Sequence, residues 1–76
     1  MTRLETEIVA LISRAGYVTR GTGASVCGRL PSGGTVTLRR AASALQRLVR
    51  SGCVVEQVNP QLCLSRYVLS QLHDRP

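Results

Sequence analysis

Thr37-Leu-Arg-Arg-Ala-Ala-Ser-Ala-Leu-Gln-Arg-Leu-Val-Arg-Ser-Gly52 is the stretch on which the reading of this chain turns. At about 100° per residue on a helical wheel, Leu38, Ala41, Ala42, Leu45, Leu48 and Val49 share one side, while Arg39, Arg40, Ser43, Gln46, Arg47 and Arg50 share the other. The spacing predicts an amphipathic helix with an apolar back and a basic front. Thr37 supplies a hydroxyl suited to an N-cap, and Gly52 suits the left-handed residue that ends a helix. Every charge on the basic side is an arginine. With no carboxylate one turn away, that face has no neighbours on its own helix to neutralise it, and it calls for solvent or an anionic partner.

The rest of the 76 residues supports a single small domain, near the size at which one apolar core still suffices. Apolar residues make up 43% and charged residues 18% of the chain, a balance that favours a packed core over disorder. All ten basic residues are arginine against four acids, so the net charge of +6 gives a field attractive to phosphates or to an acidic protein surface. No apolar run approaches the ~18 residues of a membrane span, and the first residues lack the pattern of a signal peptide. The expectation is a cytoplasmic protein. Cys27, Cys53 and Cys63 are odd in number and form no C-x-x-C pair, which points to buried free thiols and to neither a disulfide framework nor a metal site.

Upstream, Thr2-Arg3-Leu4-Glu5 reads as a capping box, followed by an apolar stripe of Leu4, Ile8, Leu11, Ile12 and Ala15 that Gly16 closes. Glu5 and Glu7 place half of the acidic charge on this first helix, which makes it a support and not an anion-binding surface. Tyr17 to Arg20 reads as a short extended connection with Val18 buried. Thr22 is the expected cap of a second, two-turn helix through Ala24, Val26, Cys27 and Leu30, ended by Pro31. Pro31-Ser32-Gly33-Gly34 is a loop, and Thr35 to Thr37 leads extended into the basic helix.

Beyond Gly52 the periodicity changes to that of strands. Cys53, Val54, Val55 and Val58, then Leu62, Cys63, Leu64, Tyr67, Val68 and Leu69, predict a hairpin turning at Asn59-Pro60-Gln61. Residues 71–76, with His73 beside Asp74, read as a frayed tail.

Helix, short helix, loop, basic helix and hairpin, in that order, resemble a winged helix-turn-helix domain of the kind found in small bacterial or phage regulators. The local signature is Leu45-Gln-Arg-Leu-Val-Arg-Ser-Gly52 followed by Cys53-Val54-Val55, and the closing Arg66-Tyr-Val-Leu-Ser70 is similar to the strand that ends such wings. The resemblance implies a mostly α fold of three helices plus a wing over residues 1–76. It also implies a sequence-specific double-stranded DNA-binding protein, a transcriptional or phage regulator, whose third helix enters the major groove.

Carried over by position, Thr37, Arg39, Arg40 and Ser43 would meet base edges, with Arg47 further along the same face and Arg50 also on the DNA-binding side; Arg39 and Arg40 are the candidates for a bidentate contact to guanine. Arg20 and Thr22 near the second helix, with Asn59, Gln61 and Arg66 in the wing, would meet phosphates or the minor groove. The wing tip, Val58 to Leu62, departs from strong binders in carrying no basic residue. The competing reading is a protein-interaction or inhibitor module of the same fold, docking an acidic partner surface. An enzyme is not indicated, because one histidine and four scattered acids supply no combination of acid, base and nucleophile. No cofactor is implied, and a two-fold dimer would give such a small reader a longer site.

Overall fold

The computed structural model describes residues 1–70. It contains two α-helices and five strands: α1 (Arg3–Ala15), β1 (Thr19–Arg20), β2 (Val26–Arg29), β3 (Thr35–Leu38), α2 (Ala42–Ser51), β4 (Val54–Asn59) and β5 (Leu64–Leu69). The strands form two antiparallel sheets, of order β1-β2-β3 and β4-β5. The two meet at one bridge, where the Val18 N–H donates to the Tyr67 carbonyl at 2.9 Å and the Tyr67 N–H to the Val18 carbonyl at 2.8 Å.

The expectation of three helices plus a wing is overturned. Where the second helix was expected, Val26–Arg29 is a strand, paired with β1 on one side and β3 on the other. Its side chains alternate: Val26 and Gly28 are buried, Cys27 is half-buried and Arg29 exposed. A helix of that length would have one glycine in its interior and little apolar surface to cover, whereas the strand gains two ladders of backbone hydrogen bonds. Thr22 caps no α-helix. It opens a short turn in which Gly23 and Ala24 both take positive φ. Pro31 to Gly34 closes the β2–β3 hairpin, with Leu30 N–H bonded to the Gly34 carbonyl at 2.8 Å.

The first helix forms as its sequence predicts. Thr2 accepts from the Glu5 amide and Glu5 reaches back to the Thr2 amide, while Gly16 ends the helix at φ 92°. Ile8, Leu11 and Ile12 are buried along one stripe, against Leu45 and Leu48 of α2, Val26 of β2, Val54 of β4, and Val18 and Tyr67 at the bridge. Each such aliphatic side chain contributes about 1.5–3 kcal/mol by leaving water. Ala41 and Ala44, both essentially buried, add no bulk where α2 enters this core. The expectation of three buried thiols is corrected: Cys27 and Cys53 are half-buried and Cys63 is exposed in the β4–β5 loop. The tail reading of residues 71–76 falls outside the described residues.

Gly28 marks the tightest contact between helix and sheet. A Cβ there would lie 2.8 Å from Leu11 Cγ and 3.0 Å from its Cδ1, both in the packed core. Gly28→Ala is expected to cost about 1–3 kcal/mol through overpacking, read as a lowered thermal midpoint. Ala24→Gly, which relaxes a left-handed alanine at φ 61°, should raise it.

Candidate nucleic-acid interface

α2 begins at Ala42, later than the pattern of apolar residues suggested. Thr37 is not its N-cap: the backbone of Thr37 is committed to β3, opposite Cys27, and its hydroxyl lies 3.6 Å from the Cys27 thiol. Ala41 occupies the cap position without a side-chain hydrogen bond. Arg39 and Arg40 therefore sit in the turn that joins β3 to α2. Arg40 is held at φ 53°, and the next amide, Ala41 N–H, donates to the Ala24 carbonyl at 2.9 Å. That bond ties the arginine turn to the turn of Thr22 to Ala24 at the amino end of α2.

Along α2, Ser43, Gln46, Arg47 and Arg50 follow at spacings of three, one and three, and all four are exposed. The first turn holds no acidic residue to offset the positive end of the helix dipole. One ion pair occurs among the described residues: Arg47 Nε lies 3.4 Å from Glu5 Oε1. The distance is long for a charge-assisted bond, and 53% of the Arg47 side chain stays exposed, so the guanidinium is steered more than neutralised. Glu5 is itself fixed by Thr2, whose hydroxyl and amide hold its carboxyl below the ordinary value of 4.5, with Arg47 adding to the effect. A pairing across 42 residues of sequence leaves no periodic signal, which is why the sequence pattern missed it.

The remaining expected contacts lie elsewhere and are largely occupied. Arg20 approaches the Tyr67 hydroxyl, which donates to Glu56 at 3.3 Å. Burial and then the Glu56 charge push the Tyr67 phenol up, with Arg20 opposing. Arg66 Nε donates to Gln57 Oε1 at 3.0 Å and its guanidinium stacks over the Tyr17 ring. The Asn59 side chain accepts from the Gln61 and Leu62 amides and so shapes the hairpin turn. Gln61 is exposed there without a neighbouring cation. Arg39 and Arg40 thus lie in the turn before α2, with Ser43, Arg47 and Arg50 exposed along it; Thr37 lies in β3, Thr22 in the turn after β1, Arg20 in β1, and Asn59, Gln61 and Arg66 in the hairpin.

No helix among the described residues is long and apolar enough to cross a membrane. No family model, curated protein or solved structure matches the chain.

The depressed Glu5 carboxyl sets a pH dependence. A carboxylate whose folded value is lowered contributes stability that is fully present above its unfolded value and is lost as pH falls through the folded one. The thermal midpoint of the wild type should therefore fall as the pH drops below 4.5, and Glu5→Gln should reduce that fall. Equal slopes for the two proteins, measured by circular dichroism, would contradict the assignment.

Proposed function

We propose that the protein binds double-stranded DNA, with the Ser43, Gln46, Arg47 and Arg50 face of α2 in the major groove and Arg39 and Arg40 on flanking phosphates. The observation that carries this reading is that Arg39, Arg40 and Arg50 are exposed with no ion pair among the described residues, in and directly before the helix that carries an Arg47 only loosely held. From Ser43 to Arg50 the face rises about 10 Å, and a B-form major groove about 12 Å wide admits a helix. The middle of α2 presents the side chains suited to bases: Gln46 has the amide geometry for adenine and Arg47 the fork for guanine. Arg39 and Arg40, off the helix in the preceding turn, serve as phosphate contacts, which position without reading sequence.

The hairpin contributes little to this binding mode, because Gln57 to Ser65 carries no charge and Arg66 is already engaged. The face on α2 also serves a rival role, docking an acidic protein, and salt dependence separates the two on a duplex.

Titration against duplex DNA at several salt concentrations should give log K falling linearly with log[salt], by about 0.9 for each phosphate neutralised. Arg40→Gly removes one cation while relieving a left-handed residue, so the variant should fold at least as well yet show a slope shallower by about 0.9. Arg47→Ala should instead relax discrimination at one base pair by about 1–3 kcal/mol. Absence of binding at low salt, or an Arg40→Gly slope equal to that of the wild type, would reject the proposal.

A further inference from the structure

The bridge between the sheets decides which way the backbone groups of the hairpin point. Tyr67 spends its N–H and its carbonyl on Val18, so the pair Glu56 and Tyr67 in the β4–β5 ladder is the wide, non-bonded kind. Ser70 N–H bonded to the Cys53 carbonyl at 2.9 Å fixes the same alternation from the other end. It follows that Cys53, Val55, Gln57 and Asn59 bond to β5, whereas Val54, Glu56 and Val58 direct their N–H and carbonyl groups away from it. On that side β4 has no partner strand among the described residues.

Edge strands are ordinarily guarded by basic side chains, an internal proline or a bulge. β4 is lightly guarded: it carries no arginine and one charge, Glu56, whose carboxylate accepts from the Tyr67 hydroxyl, its register with β5 is unbroken, and Pro60 lies beyond its end. In a chain of net charge +6, Gln57 to Ser65 is free of charge. Two copies that repel elsewhere can approach there. Val55, Val58, Leu62 and Leu64 are exposed on the same hairpin, Val58 and Leu62 at 64% each.

We propose that β4 pairs antiparallel with β4 of a second copy, making a four-stranded sheet of order β5-β4-β4-β5 about a two-fold axis at Gln57. The outward-pointing groups allow symmetric registers with the axis at each residue from Val54 to Val58, and an axis at Val54 or Val58 closes only one bonded pair, two hydrogen bonds, within the strands. Glu56 opposite Glu56 sets like charges face to face. An axis at Val55 drives the partner toward Val54, where α2 packs on β4. The axis at Gln57 sets Glu56 opposite Val58 in both directions, closes four backbone hydrogen bonds, and keeps the contact toward the outer half of the hairpin, with Glu56 the one charged residue that each copy brings to it. The two Gln57 residues then face each other as a non-bonded pair, with Cα atoms about 4.5 Å apart. The two exposed Val58 side chains come onto one face. This pairing rests on the sheet alone and does not depend on DNA binding.

Sedimentation equilibrium of the full chain without DNA tests it. The wild type should associate to twice 8.2 kDa, and Val58→Pro should weaken association at least about tenfold while leaving the ladder to β5 intact, since the Val58 amide points away from it. In a Cys63→Ser background, which removes the exposed thiol, mild oxidation should link Gln57→Cys into dimers. Val55→Cys and Glu56→Cys should link no more than the parent; the Cα spacing across the axis suits a disulfide only at 57. The crosslinking decides the matter should the proline variant fail to fold. A wild type that stays monomeric at roughly 1 mM, a folded Val58→Pro that still dimerises, or linkage strongest at 55 or 56 would overturn the pairing.

Discussion

Two hydrogen bonds between Val18 and Tyr67 hold this molecule's halves in register. On one side of them stands the three-stranded sheet, which fixes the turn before α2; on the other stands the β4–β5 hairpin into which α2 leads. Both residues are also buried, Val18 completely and Tyr67 at 4% exposure, so the bridge sits inside the core formed with Ile8, Ile12, Leu45 and Leu48. Buried backbone groups are costly to leave unpaired, and the bond pair and the apolar packing therefore support each other. The same bridge sets the polarity of the hairpin's outer edge, since it leaves the Glu56 backbone N–H and carbonyl no partner on β5.

Charge is spread unevenly over the elements of this frame. Arg39, Arg40, Arg47 and Arg50 gather on α2 and the turn before it, while the outer hairpin is neutral and partly apolar. Glu5 is the acid that reaches the basic side, and Thr2 orients it as much as Arg47 does. Since exposed ion pairs at such distances are weak, the field over α2 stays positive. A basic helix face and a strand edge free of basic residues suit separate surfaces for an anion and for a second chain.

Elements with two matching signals were legible in the sequence. α1 had both a capping box and a full apolar stripe; the hairpin had alternation on both sides of a proline turn. The basic face of α2 also followed from its periodicity, because Leu45, Leu48 and Val49 fix which side turns inward. The β2–β3 hairpin was not legible as such. Ala24, Val26, Cys27 and Leu30 fit a short helix and a short strand almost equally, and periodicity does not separate them over so few residues. What decides is tertiary: β2 lies between β1 and β3, and Gly28 admits Leu11 of α1 against the strand. The start of α2 was misplaced for a related reason, since Thr37 is a good cap in isolation but its backbone is already paired with Cys27. The resemblance to a winged helix-turn-helix rested on that second helix, and without it the three-helix description does not hold.

The proposed duplex surface is the basic side of α2 together with its preceding turn. Backbone amide NMR spectra of the labelled protein, recorded as duplex DNA is added, test this residue by residue. The account predicts shifts concentrated at residues 39–50 and at the neighbouring turn of Thr22 to Ala24, with Leu62 to Leu64 unmoved. Shifts centred on the hairpin instead, or a spectrum that DNA leaves unchanged at low salt, would contradict it.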